Sequence, residues 1–134
     1  MHKRILTIED VRELMVPHPN RVHITLSRTE QTNDFDYKKV IDLVVRFTPD
    51  AILCGELSTA NAGAIWELMG SGHDNCCATI HAESSEAAYK AFCDRILHQY
   101  PTIDRGRTIE EMRHKLRVVQ INRDGNIRAV TEIT

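Results

Sequence analysis

No stretch of this sequence is long and apolar enough to span a bilayer. The basic opening Met1-His2-Lys3-Arg4 is followed by an apolar run at 5–8 only, before Glu9 and Asp10. That run is too short for the apolar region of a signal peptide, so the cytoplasm is the expected compartment. Charge of one sign is lacking too. Lys and Arg number 17 against 19 Asp and Glu, a formal net charge of -2, which gives no strong nucleic-acid signal. There is no internal repeat and no low-complexity segment. Cysteine is scarce and poorly placed for a disulfide framework: Cys76 and Cys77 are adjacent, Cys54 lies in an apolar run, and Cys93 completes the set. A zinc site would recruit Cys76 and Cys77 with His73 and His81. The usual C-x2-C spacing is missing, so small buried thiols are the better reading, and metal analysis is the test of the other.

What is present is a chain of 134 residues, 42% hydrophobic, enough for one domain with a real core. It is organised around Thr48-Pro49-Asp50-Ala51-Ile52-Leu53-Cys54-Gly55-Glu56-Leu57. Pro49 and Asp50 close what precedes, and 51–54 read as a strand covered on both faces. Gly55 and Glu56 then stand at its carboxyl end, where open parallel sheets keep their ligands. A glutamate there can polarise a water or coordinate magnesium, although a solvated glutamate after a strand is the plainer alternative. The run at 4–8 has the same form, an apolar strand ending in Glu9-Asp10.

Other elements follow from pattern. Pro17 and Pro19 keep 11–19 irregular, and 21–27 alternate as a half-exposed strand. Asp34 is placed to cap a helix over 36–47, with Val40, Ile41, Val44 and Val45 on one face and Arg46 near its end. Ser58 or Thr59 is placed to cap a second helix reaching Met69, with Ala62, Ile65, Trp66 and Met69 at helical spacing. Gly70-Ser71-Gly72 stops it. A buried strand over 76–80 ends at His81. An amphipathic helix over 83–100 carries Ala88, Phe92 and Ile96 at intervals of four. Thr108-Ile109-Glu110-Glu111 has the form of a capping box opening a helix to Leu116. Asp124-Gly125 marks a hairpin between 116–121 and 127–133. Strands alternating with helices and then a hairpin predict an α/β fold with a mainly parallel sheet.

Glu9-Asp10, Glu56 and His81 each follow a predicted strand, with His73 in the loop before the last. Parallel neighbours would bring the strand ends to one edge. Two acids and an imidazole there suit hydrolysis of a phosphate ester or anhydride: Glu9 orienting water, Glu56 handling magnesium, a histidine sensing the terminal phosphate. Carboxylates that cap a following helix, and a hydrogen-bonded structural histidine, are the alternatives. These patterns alone leave the reaction class open.

Four ordered blocks carry a more specific signal. Arg4-Ile5-Leu6-Thr7-Ile8-Glu9-Asp10-Val11-Arg12-Glu13-Leu14 resembles the acidic box of the type II/type IV secretion ATPases. His18-Pro19-Asn20-Arg21-Val22-His23 is similar to the segment after it in the type IV secretion and conjugation branch. Arg46-x-x-Pro49-Asp50-x-Ile52-Leu53-x-Gly55-Glu56-Leu57 resembles the Walker B strand. Ser71-Gly72-His73 with Thr79-Ile80-His81-Ala82 resembles the His box, and the terminal hairpin fits the closing strands.

The resemblance implies a RecA-like domain from a hexameric ATPase at the cytoplasmic base of a secretion or conjugation machine. It also implies ATP and magnesium as cofactors, and hydrolysis coupled to substrate export or pilus assembly. By position, Glu9 matches the catalytic carboxylate, Asp10 its nucleotide-binding neighbour, and Glu56 the Walker B glutamate, an indirect magnesium partner. His73 and His81 match the nucleotide-sensing pair, and Arg46 a recurrent arginine. The implied partners are further copies or intact ATPase subunits, and inner-membrane components that hold the protein at the membrane.

The sequence departs from the pattern in three places. It has no Gly-x-x-x-x-Gly-Lys-Ser/Thr, the loop whose amides and lysine hold phosphates. Ser58 stands where arginine is usual, and Asp74-Asn75-Cys76 replaces a Pro-Gly-Ser-like turn. The expectation is therefore a partial RecA-like domain over 1–134, without the Walker A loop, the first strand or the N-terminal domain, and deficient in ATP hydrolysis alone. The strand over 76–80 becomes an open edge that pairs with another chain. The alternative is a non-catalytic module that docks onto an intact ATPase.

Overall fold

The computed structural model describes residues 3–25, 37–125 and 127–133. Its elements, in chain order, are β1 (Ile5–Glu9), β2 (Arg21–Thr25), α1 (Tyr37–Phe47), β3 (Ala51–Cys54), α2 (Ala62–Gly70), β4 (Cys76–Ala78), α3 (Ser85–Gln99), α4 (Arg105–Lys115), β5 (Val119–Asp124) and β6 (Ile127–Ile133). They fall into two compact units, Met1–Thr79 and Ile80–Thr134. The α/β class expected from the sequence is what the molecule has.

In the first unit, β1 to β4 form a four-stranded sheet in the order β2-β1-β3-β4, parallel throughout. The most buried strand takes a central place: Leu6, Thr7, Ile8 and Glu9 of β1 are all buried. β3 beside it buries Ile52 and Cys54 but leaves Ala51 and Leu53 half-buried, so one of its faces is less covered than the unbroken apolar run implied. Helix α1 buries Val40, Ile41 and Val44, whereas Val45, expected on the same face, points outward. The i, i+1, i+4 stripe ends one position earlier than the sequence suggests. Thr48 closes this helix with φ 46, a left-handed conformation unusual for a β-branched residue.

Helix α2 starts at Ala62, not after Ser58 or Thr59. Its N-terminal residue is the buried Asn61, and the Ser58 carbonyl accepts from Ala62 N at 2.9 Å. Ile65 and Leu68 are its deepest large side chains, while Trp66 and Met69 are half-buried. Each fully buried Leu or Ile contributes about 1.5–3 kcal/mol. The stop at Gly70-Ser71-Gly72 is as expected, with Gly72 at φ 93. β4 covers three residues, not the five of 76–80, and Cys77 faces solvent. It is the edge strand of the sheet, and edge strands need no apolar cover on both faces.

In the second unit, α3 and α4 pack through Phe92, Cys93, Ile96, Ile109 and Met112. Ser84 caps α3, its hydroxyl accepting from Ala87 N at 3.1 Å. Helix α4 begins at Arg105 because Asp104 caps it, accepting from Arg107 N at 2.9 Å. Thr108, read from sequence as a cap, is a buried residue of the helix interior. β5 and β6 form the expected hairpin, in a separate two-stranded sheet. Asp124 pairs with Ile127, so Asp124 belongs to the strand and Gly125, at φ 59, begins the turn. The proposed Asp34 cap and the strand extension to residue 27 lie outside the described residues.

Candidate active site

The parallel register Ile8↔Cys54 sets the carboxyl ends of β1 and β3 side by side. Glu9 and Gly55 are therefore neighbours, and Gly55 N donates to Ile8 O at 2.9 Å. A methyl group on Gly55 would lie 3.0 Å from Glu9 Cγ and 3.1 Å from Glu9 Oε1. The missing side chain of Gly55 is thus the space that the Glu9 carboxylate fills. Real carbon contacts settle near 3.5–4.0 Å, so no larger residue fits without moving Glu9.

Glu9 is 5% exposed, and its Oε1 accepts from Leu14 N at 2.9 Å and Glu13 N at 3.2 Å. Successive backbone amides converging on one anion form a small nest. The connection after β1 is folded back onto its own strand end by this carboxylate. One oxygen of Glu9 is thereby occupied, and the other has no hydrogen-bond partner among the described residues. Asp10, half-buried, follows at the same edge.

Glu56 is exposed beside this pair, and its backbone is fixed from three directions. Its carbonyl accepts from Asn61 Nδ2 at 2.8 Å and from the Cys54 thiol at 3.4 Å. The following amide, Leu57 N, donates to Thr79 O at 2.9 Å, and the Thr79 hydroxyl donates to Gly55 O. Asn61 completes the clasp by accepting from Ser58 N at 2.9 Å. Burial pushes the Cys54 thiol up to about 12, so it stays protonated and remains a donor at neutral pH. An exposed side chain on a clamped backbone is placed without being buried.

Two of the remaining sequence candidates, His73 and Arg46, lie at the other edge of the sheet. His73 precedes β4, and Arg46 lies in the last turn of α1 ahead of β3, so both stand at the amino edge of the sheet. The four residues of β3, at roughly 3.3 Å each, separate the two edges by about 13 Å. His73 therefore does not join Glu9 and Glu56 within this unit. It lines a cleft of about 240 Å³ with Asp50, Ile52, Asp74 and Asn75, and its Nδ1 is buried without a hydrogen-bond partner among the described residues. His81 is exposed and belongs to the second unit, ahead of α3. Among the described residues, no three His, Cys, Asp or Glu side chains are grouped to hold a metal, and the zinc set of Cys76, Cys77, His73 and His81 does not assemble.

Two contributors escaped the sequence reading. Asn61 directly precedes the apolar run of α2, but Ser58 and Thr59 drew the helix start earlier; its side chain makes no capping bond and instead joins Ser58 N to Glu56 O. Arg4 ties the amino edge together, its Nε donating to Asn20 Oδ1 at 3.2 Å and its backbone N to Asp50 Oδ2 at 2.7 Å. No local pattern announces a contact across 46 residues.

Comparison with known proteins agrees with this arrangement. The "Type II/IV secretion system protein" family matches residues 1–94. The type IV secretion system proteins VirB11 of Bartonella quintana and Bartonella henselae are each 36% identical, over 90 and 89 residues. These matches cover 66% of this chain and 25% of each relative, so the chain spans about a quarter of their length. The crystal structure of the VirB11 ATPase from the Brucella suis type IV secretion system, in complex with sulphate, aligns with a TM-score of 0.82 at 26% identity. That alignment covers 98% of this chain and 40% of the other. A parallel sheet whose strand ends carry Glu9 and Glu56, together with a family match over most of the chain, leads to one conclusion: the protein belongs to the type II/IV secretion system family, in the type IV branch with VirB11.

Proposed function

We propose that this chain is the acidic-box, Walker B and His-box part of a hexameric secretion or conjugation ATPase, working at the cytoplasmic face of the inner membrane. The motor would couple ATP hydrolysis to substrate export or pilus assembly. The observation that carries the reading is the apposition of Glu9 and Glu56 on one edge of a parallel sheet, made possible by Gly55.

In this reading Glu56 is the residue that takes the proton from attacking water, or aligns that water. Its exposed carboxylate stands on a backbone held by Asn61 and Thr79. Glu9 contributes negative charge through its second oxygen, while its first keeps the connection after β1 folded back. Asp10 adds a further carboxylate at the same edge. Exposed carboxylate oxygens suit hydrated magnesium. With no cage of three ligating side chains among the described residues, the ion would be held through water and nucleotide phosphate. Bound Mg-ATP would supply the phosphoanhydride and the cation that neutralises its charge. Sensing by His73 and Arg46 would act from the opposite edge of the sheet, and sensing by His81 from the second unit.

No Gly-x-x-x-x-Gly-Lys occurs in the 134 residues, so the isolated chain should turn over ATP negligibly. A separate polypeptide bearing a phosphate-binding loop and its strand, added in trans, should restore turnover. Glu56→Gln should abolish it, with a fall of about 10²–10⁴-fold for loss of a general base. Restored turnover that survives Glu56→Gln would sink the assignment. No restoration, with tight binding to an intact ATPase instead, would favour a non-catalytic docking module. The exposed apolar face of the β5–β6 hairpin is the feature that favours that second reading.

A further inference from the structure

The chain that carries Glu56 changes step just before it. Ile52 and Cys54 are buried, and unbroken two-residue alternation beyond β3 would send the Glu56 side chain into the same core. Glu56 is exposed instead, and Leu57 takes the buried place. The hydrogen bonds slip by the same single residue. Ile52 N donates to Asn75 O at 2.8 Å, and a ladder kept in step would bring Glu56 N to Thr79 O. Thr79 O accepts from Leu57 N, one residue further on, at 2.9 Å. One extra residue on one side of a strand pair is a β-bulge, a feature that re-aims a side chain. Here it turns a carboxylate out of the core and onto the carboxyl edge.

The bulge is held from both sides. Gly55 N donates to Ile8 O of β1 at 2.9 Å, whereas Gly55 O accepts from the Thr79 hydroxyl, on the side of β4. In a regular strand the N–H and C=O of one residue face the same neighbour, so the peptide joining Gly55 to Glu56 is turned from its ladder orientation. The direction of the Glu56 Cα–Cβ bond follows from its two flanking peptides. Thr79 holds the first through its hydroxyl and the amide of the second through its carbonyl. Asn61 and Cys54 hold the second alone, at the Glu56 carbonyl. Thr79 is itself exposed, so its hydroxyl is within reach of water, and burial does not dictate the bond to Gly55.

We infer that Thr79 is a positioning residue for Glu56. Its hydroxyl fixes the Gly55–Glu56 peptide in the bulged orientation, and with it the aim of the carboxylate. It acts through the backbone alone and touches no reacting atom. The inference deepens the assignment of Glu56 as the residue that takes a proton from water or aligns it, and rests on that reading. Thr79 also opens the block that ends in His81-Ala82, so this block reaches Glu56 through hydrogen bonds to its backbone.

Two measurements test this, the first on the chain by itself. Thr79→Val keeps the β-branched shape and the backbone carbonyl but removes the hydroxyl, and Thr79→Ser keeps a hydroxyl on a smaller side chain. In NMR spectra of the isotope-labelled chain, Thr79→Val should shift the Gly55 carbonyl carbon. It should also speed amide exchange at Leu57 by about 2- to 10-fold, the worth of one hydrogen bond. Thr79→Ser should stay close to the wild type in both. In the assay complemented by a phosphate-loop polypeptide, Thr79→Val should lower kcat by about 2- to 10-fold with KM for ATP unchanged, and Thr79→Ser should recover it. Far-UV circular dichroism confirms the fold, and Thr79→Ala takes the place of Thr79→Val should the latter not fold. A Gly55 carbonyl and a Leu57 amide unmoved by Thr79→Val would overturn the inference. So would full kcat in Thr79→Val, or a loss that Thr79→Ser does not recover. If no turnover is restored in trans, the preceding proposal fails, and the NMR signals of the chain alone decide whether Thr79 holds the peptide.

Discussion

Gly55→Ala probes the packing of the candidate site most sharply. The added methyl would sit 3.0 Å from Glu9 Cγ and 3.1 Å from Glu9 Oε1, where ordinary contacts need about 3.5–4.0 Å. Glu9 must therefore retreat by about 0.5–1 Å. The bond from Glu13 N, already 3.2 Å long, is lost first, and that from Leu14 N at 2.9 Å is stretched. Overpacking costs about 1–3 kcal/mol, and a hydrogen bond to a charged group about 1.5–3 kcal/mol. Because moving Glu9 relieves the clash at the expense of the bonds, the two do not add, and a net loss of about 2 kcal/mol is expected. Trp66, the only tryptophan, lies in α2 of the first unit, so its fluorescence during urea unfolding reports on the right part of the molecule. With an m-value in the usual range, the midpoint should fall by about 1 M urea. In a Glu9→Ala background the obstructing atoms are gone, and Gly55→Ala should be neutral or stabilising by about 0.4–1 kcal/mol. An equal cost in both backgrounds would refute the idea that Gly55 is small to admit Glu9.

Asn61→Ala removes the donor to Glu56 O and the acceptor for Ser58 N within a buried clasp. Urea unfolding should show a loss of about 2–3 kcal/mol, and Asn61→Asp, which sets a carboxylate against the Glu56 carbonyl, should fare no better. Burial pushes Cys54 up to about 12 and Cys76 to about 11, and raises Cys93 as well, while Cys77 is exposed. A disulfide reagent at pH 7.5 should modify Cys77 rapidly and the other three only on unfolding, and Cys77→Ser should remove the fast phase. The hydrogen bond from Arg113 holds Glu86 below its ordinary value. The unfolded chain then binds the proton first, so this contribution is present above the usual glutamate range and is lost as pH falls through the lowered folded value. Acid unfolding followed by circular dichroism should show a shallower decline below about pH 4.5 for Glu86→Gln than for the wild type.

The sheet was legible because its signals are local. Apolar runs bounded by Pro49 at one end and by Glu9-Asp10 or Gly55-Glu56 at the other mark strands whatever surrounds them. Helix starts were read less well, since several residues in a row can cap. Ser58 and Thr59 precede Asn61, and the helix begins only after Asn61, whose side chain is engaged by Ser58 N and Glu56 O rather than by the helix. Asp104 likewise pre-empts Thr108. For the candidate site, the sequence pattern set Glu9 and Glu56 after strands that prove to be neighbours, but did not show that one Glu9 oxygen is taken by the amides of Glu13 and Leu14. Nor did type reveal the edge on which His73 lies. A residue before a parallel strand and a residue after its neighbour occupy opposite edges, so His73 and Glu56 part although both belong to recognisable blocks.

The most direct test asks which edge of the sheet meets the nucleotide. The isotope-labelled chain, complemented by an unlabelled phosphate-loop polypeptide, would be observed by NMR with ATP and manganese in place of magnesium. Paramagnetic broadening should be strongest at the amides of Glu9, Asp10, Gly55 and Glu56, and weak at Gly72, His73 and Asn75. Broadening centred on Gly72 to Asn75, with the Glu9 and Glu56 amides unaffected, would place the metal-nucleotide at the amino-edge cleft and contradict the assignment of the carboxylates.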